Sequence, residues 1–227
     1  MSSTADPSYG GSGAPIERAI PPDPTQYIAN PAPLGLAGFA MTTFVLSVIN
    51  THMLGVDGLG VVLGLAAFYG GAAQLLAGMW EFRKGNTFGA TAFSSFGAFW
   101  LSYWFIVKYS PPGGPGHTAE HAVATYLLAW AIFTAYMTVS SLQVSGAVAA
   151  VFAFLTLTFI ALTIGDYAVS TGWEKLGGWL GIITALLAWY ASFAGVTNDT
   201  YKRTVLPVWQ APQLPMGGGT TTKRSRR

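Results

Sequence analysis

The 227-residue sequence contains no cysteine. Disulfides, thiolate metal sites and cysteine nucleophiles are therefore excluded. Charge is nearly as scarce: Asp, Glu, Lys and Arg make up 9% of the chain, where a soluble domain carries about 25%. With 52% hydrophobic residues and a mean hydropathy of +0.45, such a chain cannot cover a water-facing surface, and lipid is its natural solvent. The first 29 residues have no apolar run of the kind a secretion signal needs. Rich in Pro, Gly and Ser, residues 1–29 read as a disordered tail, and residues 207–227, which end in Lys223-Arg224-Ser225-Arg226-Arg227, read the same way.

Further absences narrow the chemistry. The centres of the apolar stretches hold no carboxylate, Lys, Arg or His. A proton-coupled carrier usually keeps an ionisable relay there, so passive passage, or co-transport through groups at the mouths, is favoured. A retinal pigment needs a Lys within the last span, and Lys175 sits at its edge; a haem pair needs mid-span His, and none occurs. No Ser-His-Asp set and no carboxylate pair share a depth, so no enzyme and no cofactor is expected. His117 and His121, four apart with Glu120 between them, are too few to make a metal site. No nucleic-acid partner is expected either.

What is present is a series of six apolar stretches, each near the ~20 residues a spanning helix needs. They run over Pro33–Asn50, Gly58–Phe82, Thr87–Lys108, His121–Leu142, Ser145–Val169 and Trp173–Thr197. The predicted fold is all-α: a polytopic membrane domain over 30–206 with a tail at each end and a tight hairpin near Gln143. With six spans both tails lie on one side. That side holds nine of the 11 cations, including Arg83, Lys84, Lys202 and Arg203, against Lys108 and Lys175 opposite, which places the tails in the cytoplasm of a plasma-membrane protein. The sequon Asn198-Asp199-Thr200 falls on the cytoplasmic side, where it stays unmodified. Trp80, Trp100, Trp104, Trp173 and Trp189 lie toward span ends, where interface anchors belong.

Asn30-Pro31-Ala32-Pro33 marks a helix start, since Asn caps well and Pro suits a first turn whose amides lack partners. The odd-numbered spans then share a pattern of bulky residues beside hydroxyls: Phe39 with Thr42 and Thr43, Phe96 with Ser94 and Ser95, Leu155 with Thr156 and Thr158. The spacing of 57 and 59 residues between the bulky members suggests three parallel two-helix repeats. One bulky residue per repeat then converges at mid-depth as an apolar constriction flanked by hydroxyls. The local alternative is that each hydroxyl only bonds the carbonyl one turn back or glues helices together. Gln74 is the deepest side-chain amide of span two, and Glu81 is its acid near the cytoplasmic end. Gly60/Gly64, Gly85/Gly89 and Gly177/Gly181 have the spacing of close helix approach and point to an oligomer.

The segments Asn30-Pro-Ala-Pro-Leu-Gly-Leu36, Phe68-Tyr-Gly-Gly71, Gln74 with Ala77-Gly78 and Glu81, Gly85-Asn-Thr-Phe-Gly89, Thr91-Ala-Phe93, Leu162 to Gly165 and Arg203-Thr-Val-Leu-Pro207 resemble the acetate uptake transporter family, the succinate–acetate permease type. The resemblance spans residues 28 to 207. It implies six helices per subunit, homohexamers in the bilayer and a pathway for acetate, succinate and similar carboxylates. It also implies a mid-depth pinch at Phe39, Phe96 and Leu155, where Phe96 replaces the Tyr common in bacterial relatives and removes a donor. Together the motifs nominate Asn30, Leu34, Thr42, Thr43, Tyr69, Gln74, Asn86, Thr87, Thr91, Ser94, Ser95 and Thr156 as substrate contacts, and Glu81 for the cytoplasmic mouth. The expected function is a channel or transporter for acetate and small mono- and dicarboxylates. The alternatives are an amide or urea channel, or a membrane sensor or scaffold that moves nothing.

Overall fold

In a computed structural model of the chain, residues 28–109 and 118–211 are described; the tails up to residue 27 and from residue 212, and the loop bearing His117, lie outside them. Six helices long and apolar enough to cross a membrane make up the described chain. They are α1 (Ala32–Asn50), α2 (Val56–Arg83), α3 (Thr87–Tyr109), α4 (Thr118–Ser141), α5 (Gly146–Ala168) and α6 (Thr171–Tyr201). The protein is therefore an all-α, multi-pass membrane protein. The sixth helix runs past the predicted Thr197 to Tyr201.

Local chemistry explains the boundaries. Asn30 Oδ1 accepts from the Ala32 amide at 3.2 Å, one of the free amides at the start of α1. His52 stops that helix in the left-handed region at φ 62°. Gly85, at φ +73°, closes α2, because only glycine enters that region without a Cβ penalty. Asn86 Oδ1 then accepts from the Gly89 amide at 3.1 Å and caps α3. Ser145 caps α5 through the Val148 amide at 3.2 Å, which makes the turn after α4 as short as the sequence suggests.

Helix α2 is not regular. It opens as a 3₁₀ turn over Val56–Gly58 and widens into a π-helical turn over Phe68–Ala73. There Gly70 packs against Thr42 and Trp100, and the Tyr69 carbonyl lies against Gly38 of α1. A Cβ at Gly38 or Gly70 would overlap these atoms, so the α1–α2 approach depends on both glycines. Helix α1 is held in the same way on its other sides. Gly35 receives the Phe93 ring, Gly178 and Gly181 receive Ser47 and its neighbours, and Gly195 receives Pro33. Ser192 Oγ donates to the Pro33 carbonyl at 2.7 Å, tying α6 to the start of α1. Of the glycine pairs singled out in the sequence, Gly177 and Gly181 pack inside the bundle, whereas Gly60 and Gly64 have no neighbour where a Cβ would point.

The seam between α3 and α4 is aromatic. Phe99 stacks on Tyr126 at 5.8 Å between centroids and meets Trp130 at 5.2 Å. On the outside, large apolar side chains such as Phe68, Ile132, Val139 and Phe193 are exposed, as a lipid-facing surface requires.

The tail read from 207 onward is folded at its start. Chain 202–211 turns back under the α4–α5 turn: the amides of Gly146 and Ala147 donate to the carbonyls of Trp209 (2.8 Å) and Val208 (3.2 Å). Asn198 clasps this strap with three bonds, donating to the Leu206 carbonyl at 2.8 Å and accepting from the Val205 and Leu206 amides at 2.7 and 2.9 Å. The sequon asparagine thus spends its amide on structure. Asn198→Ala removes all three bonds at roughly 1 kcal/mol each; a thermal unfolding midpoint in detergent several degrees below the parent is expected, together with faster proteolysis after residue 202.

Candidate functional site

Phe39 of α1, Phe96 of α3 and Leu155 of α5 are each at most 4% exposed, and all three line one small internal cavity. The Phe39 and Phe96 rings meet at 5.7 Å. Phe96 is held from behind by the rings of Trp130, Phe133 and Phe152 at 5.8, 5.5 and 5.9 Å. Such a ring nest fixes the rotamer of Phe96, because each tilted pair adds about 0.5–1.5 kcal/mol beyond burial.

Two cavities flank this cluster. The smaller, about 20 Å³, lies on the face that carries the chain ends and is bounded by Leu36, Gln74, Phe93 and Phe152. A water needs ~10–15 Å³ of such space, so this cavity holds one or two. The larger, about 220 Å³, opens toward the opposite face. Phe39 and Leu155 belong to the walls of both, so the apolar cluster is the partition between them.

The walls of the large cavity are mostly apolar with a few polar groups. Thr43 Oγ1 and Trp100 Nε1 are buried there without a hydrogen-bond partner in the protein. Ser47, Asn50, Tyr103 and Thr158 add further polar atoms, and Asp166 and Glu174 border it. A buried donor left unpaired costs about 1–3 kcal/mol, so the two orphans mark where a solute or water completes the site. Gln74, 1% exposed, lines the small cavity and leaves an acceptor, its Oε1, without a partner.

The other hydroxyls do not converge. Thr42 Oγ1 donates to the Gly38 carbonyl at 2.9 Å and packs on Gly70. Thr156 donates to the Phe152 carbonyl at 2.9 Å and meets Thr138 Oγ1 at 3.0 Å, linking α5 to α4. Ser94 sits against Gly78, its Oγ unpartnered, and neither Ser94 nor Ser95 lines either of these two cavities. For Thr42 and Thr156, local bonding one turn back wins over solute contact.

The remaining nominees lie near the face with the chain ends. Leu34 is 46% exposed, Asn30 and Thr87 are exposed, and Thr91 is half-buried. Tyr69 lies in the π turn and lines neither cavity. Asn86 Nδ2 donates to Glu81 Oε2 at 2.8 Å while its Oδ1 caps α3, and Glu81 is 1% exposed with Oε1 unpartnered. Glu81 and Asn86 therefore form one polar joint at the α2–α3 turn.

Trp100 lies elsewhere than its place in the span suggests. Taken as an interface anchor, it is 2% exposed and faces the large cavity. The signal was its spacing: Phe96, Phe99, Trp100 and Tyr103 recur at the intervals of one helix face.

Six spans around two cavities divided by an apolar partition are the build of a protein that lets small solutes cross a membrane. The chain belongs to the GPR1/FUN34/yaaH family, whose model matches residues 12–213. It is 39% identical over 184 residues to the succinate-acetate/proton symporter SatP of Escherichia coli strain K12, covering 81% of this chain and 97% of the relative. It is 41% identical over 199 residues to ammonia transport outward protein 2 of Saccharomyces cerevisiae, covering 85% and 70%. The solved structure of the bacterial acetate channel SatP superposes with a TM-score of 0.74 at 40% identity, covering 80% of this chain and 99% of that one.

Because its hydroxyl is an orphan when the cavity is empty, Thr43→Val is expected to leave the unfolding midpoint without ligand unchanged or slightly raised. The same variant should lose most of the stabilisation that added acetate brings. Thermal unfolding with and without acetate measures both; a lower midpoint and an undiminished acetate shift would contradict this placement.

Proposed function

We propose that the chain is a channel or transporter for acetate and related small carboxylates. The observation that carries this reading is the pair of cavities sharing Phe39 and Leu155, with Phe96 packed on Phe39 in the wall of the smaller one. A carboxylic solute enters the large cavity, exchanges part of its water for Thr43 and Trp100, and crosses the partition with its methyl group against the rings. Gln74 receives it on the other side. A hydrated inorganic ion gains nothing from the rings and keeps its full dehydration cost, so the partition delays it. The names of the SatP relatives support the choice of solute.

The protein sits in the plasma membrane with its termini in the cytoplasm. Support comes from the charge bias of Arg83, Lys84, Lys202 and Arg203 on one face against Lys108 and Lys175 on the other. It assembles as a homohexamer, a reading supported by the family resemblance and by the open small-residue face at Gly60 and Gly64. A second reading, passage of ammonia, is supported by the name of the yeast relative.

Uptake of labelled acetate and of labelled methylamine into proteoliposomes separates the two; methylamine flux without acetate flux would overturn the first. In the same assay Phe96→Ala is expected to raise acetate flux severalfold and to admit longer monocarboxylates such as butyrate. Unchanged flux and selectivity would make Phe96 ordinary packing.

A further inference from the structure

The large cavity has donors in its depth and acids at its mouth. Thr43 and Trp100, 6% and 2% exposed, present the unpartnered hydroxyl and indole N–H, and both can donate to one carboxyl group. Nearer the opening, the same wall carries the carboxylates of Asp166, from the end of α5, and Glu174, from the first turns of α6. Glu120 of α4 lies close enough to Asp166 for their charges to interact. His52 Nε2 meets Glu174 Oε2 at 2.9 Å. No Lys or Arg lines the cavity, and Asp166 has no hydrogen-bond or ion-pair partner among the described residues. Tyr103 and Tyr126, the other titratable side chains of the wall, are uncharged at neutral pH.

We propose that Asp166 and Glu174 are specificity-determining residues that admit solutes with one acid group and reject those with two. The inference rests on the carboxylate reading above. A monocarboxylate seats its acid group on Thr43 and Trp100 and turns hydrocarbon to the apolar walls. A dicarboxylate that seats one group at the same depth leaves the other pointing back toward the mouth, where it meets fixed negative charge. Repulsion of the second acid group by these carboxylates is expected to lower succinate occupancy about tenfold, equivalent to about 1.4 kcal/mol. A doubly charged solute also feels twice the repulsion on approach.

The test is uptake of labelled acetate and labelled succinate into proteoliposomes at pH 7, where succinate is largely a dianion. The wild-type protein is expected to favour acetate, and the preference should shrink as ionic strength rises from ~0.01 to ~1 M, because the screening length falls from ~30 to ~3 Å. Asp166→Asn with Glu174→Gln should raise the succinate-to-acetate ratio about tenfold, with acetate flux rising less than succinate flux and the salt dependence lost. Asp166→Glu, which keeps the charge, should behave as the parent. If the neutralised pair does not assemble, the salt dependence of the wild-type ratio decides alone. Equal wild-type fluxes, a salt-insensitive ratio, or a ratio unmoved in an active neutralised variant would overturn the proposal while leaving acetate transport in place. Absence of any acetate flux in the wild-type protein would overturn both.

Discussion

The close approach of α1 to its neighbours is what the remaining structure depends on. That helix carries Phe39 and Thr43, and it meets α2, α3 and α6 at glycines: Gly70 beneath Thr42, Gly35 beneath Phe93, and Gly178 and Gly181 beneath Ser47. In lipid there is little hydrophobic drive to bring helices together, so packing contact must do the work, and removing side chains from the seams is how backbones come near enough. A Cβ at any of these glycines would overlap the atoms packed on it and push α1, which carries Phe39, away from its neighbours.

Polarity is rationed in the same spirit. Most interior hydroxyls are silenced by the carbonyl one turn back, as with Thr42, Thr134, Thr156, Thr158 and Thr163. The groups left unpaired are few, and they include Thr43 and Trp100 on one side of the rings and Gln74 on the other. A passage with many free hydroxyls would hold solute too firmly to release it; one with none would never draw it out of water.

Much of this was open to reading from residues alone, and the failures have physical causes. The spans follow from hydropathy and from unambiguous stops such as Gly85-Asn86. The trio of Phe39, Phe96 and Leu155 followed from its spacing of about one hairpin pair. The hydroxyls beside them divide, Thr43 lining the large cavity while Thr42 and Thr156 bond the carbonyl one turn back, because a Thr in a helix looks the same in sequence whether it faces a cavity or its own backbone. The π turn at Phe68–Ala73 was hidden because widening a helix changes no periodicity over so short a stretch. Residues 207–210, the end of the strap, look like tail by composition. What orders the strap is a side chain on the preceding helix, Asn198, and the free amides of α5, neither visible as a pattern in the segment itself.

That strap changes the character of α5. A helix start inside a membrane protein normally offers bare amides and a partial positive charge to passing anions. Here the chain's own carbonyls at Val208 and Trp209 occupy those amides, so this end is electrically quiet. Leu155 stands nine residues further along the same helix, about 13 Å by helical rise. The protein's last described segment and the Leu155 side chain of the apolar cluster are therefore attached to one helix.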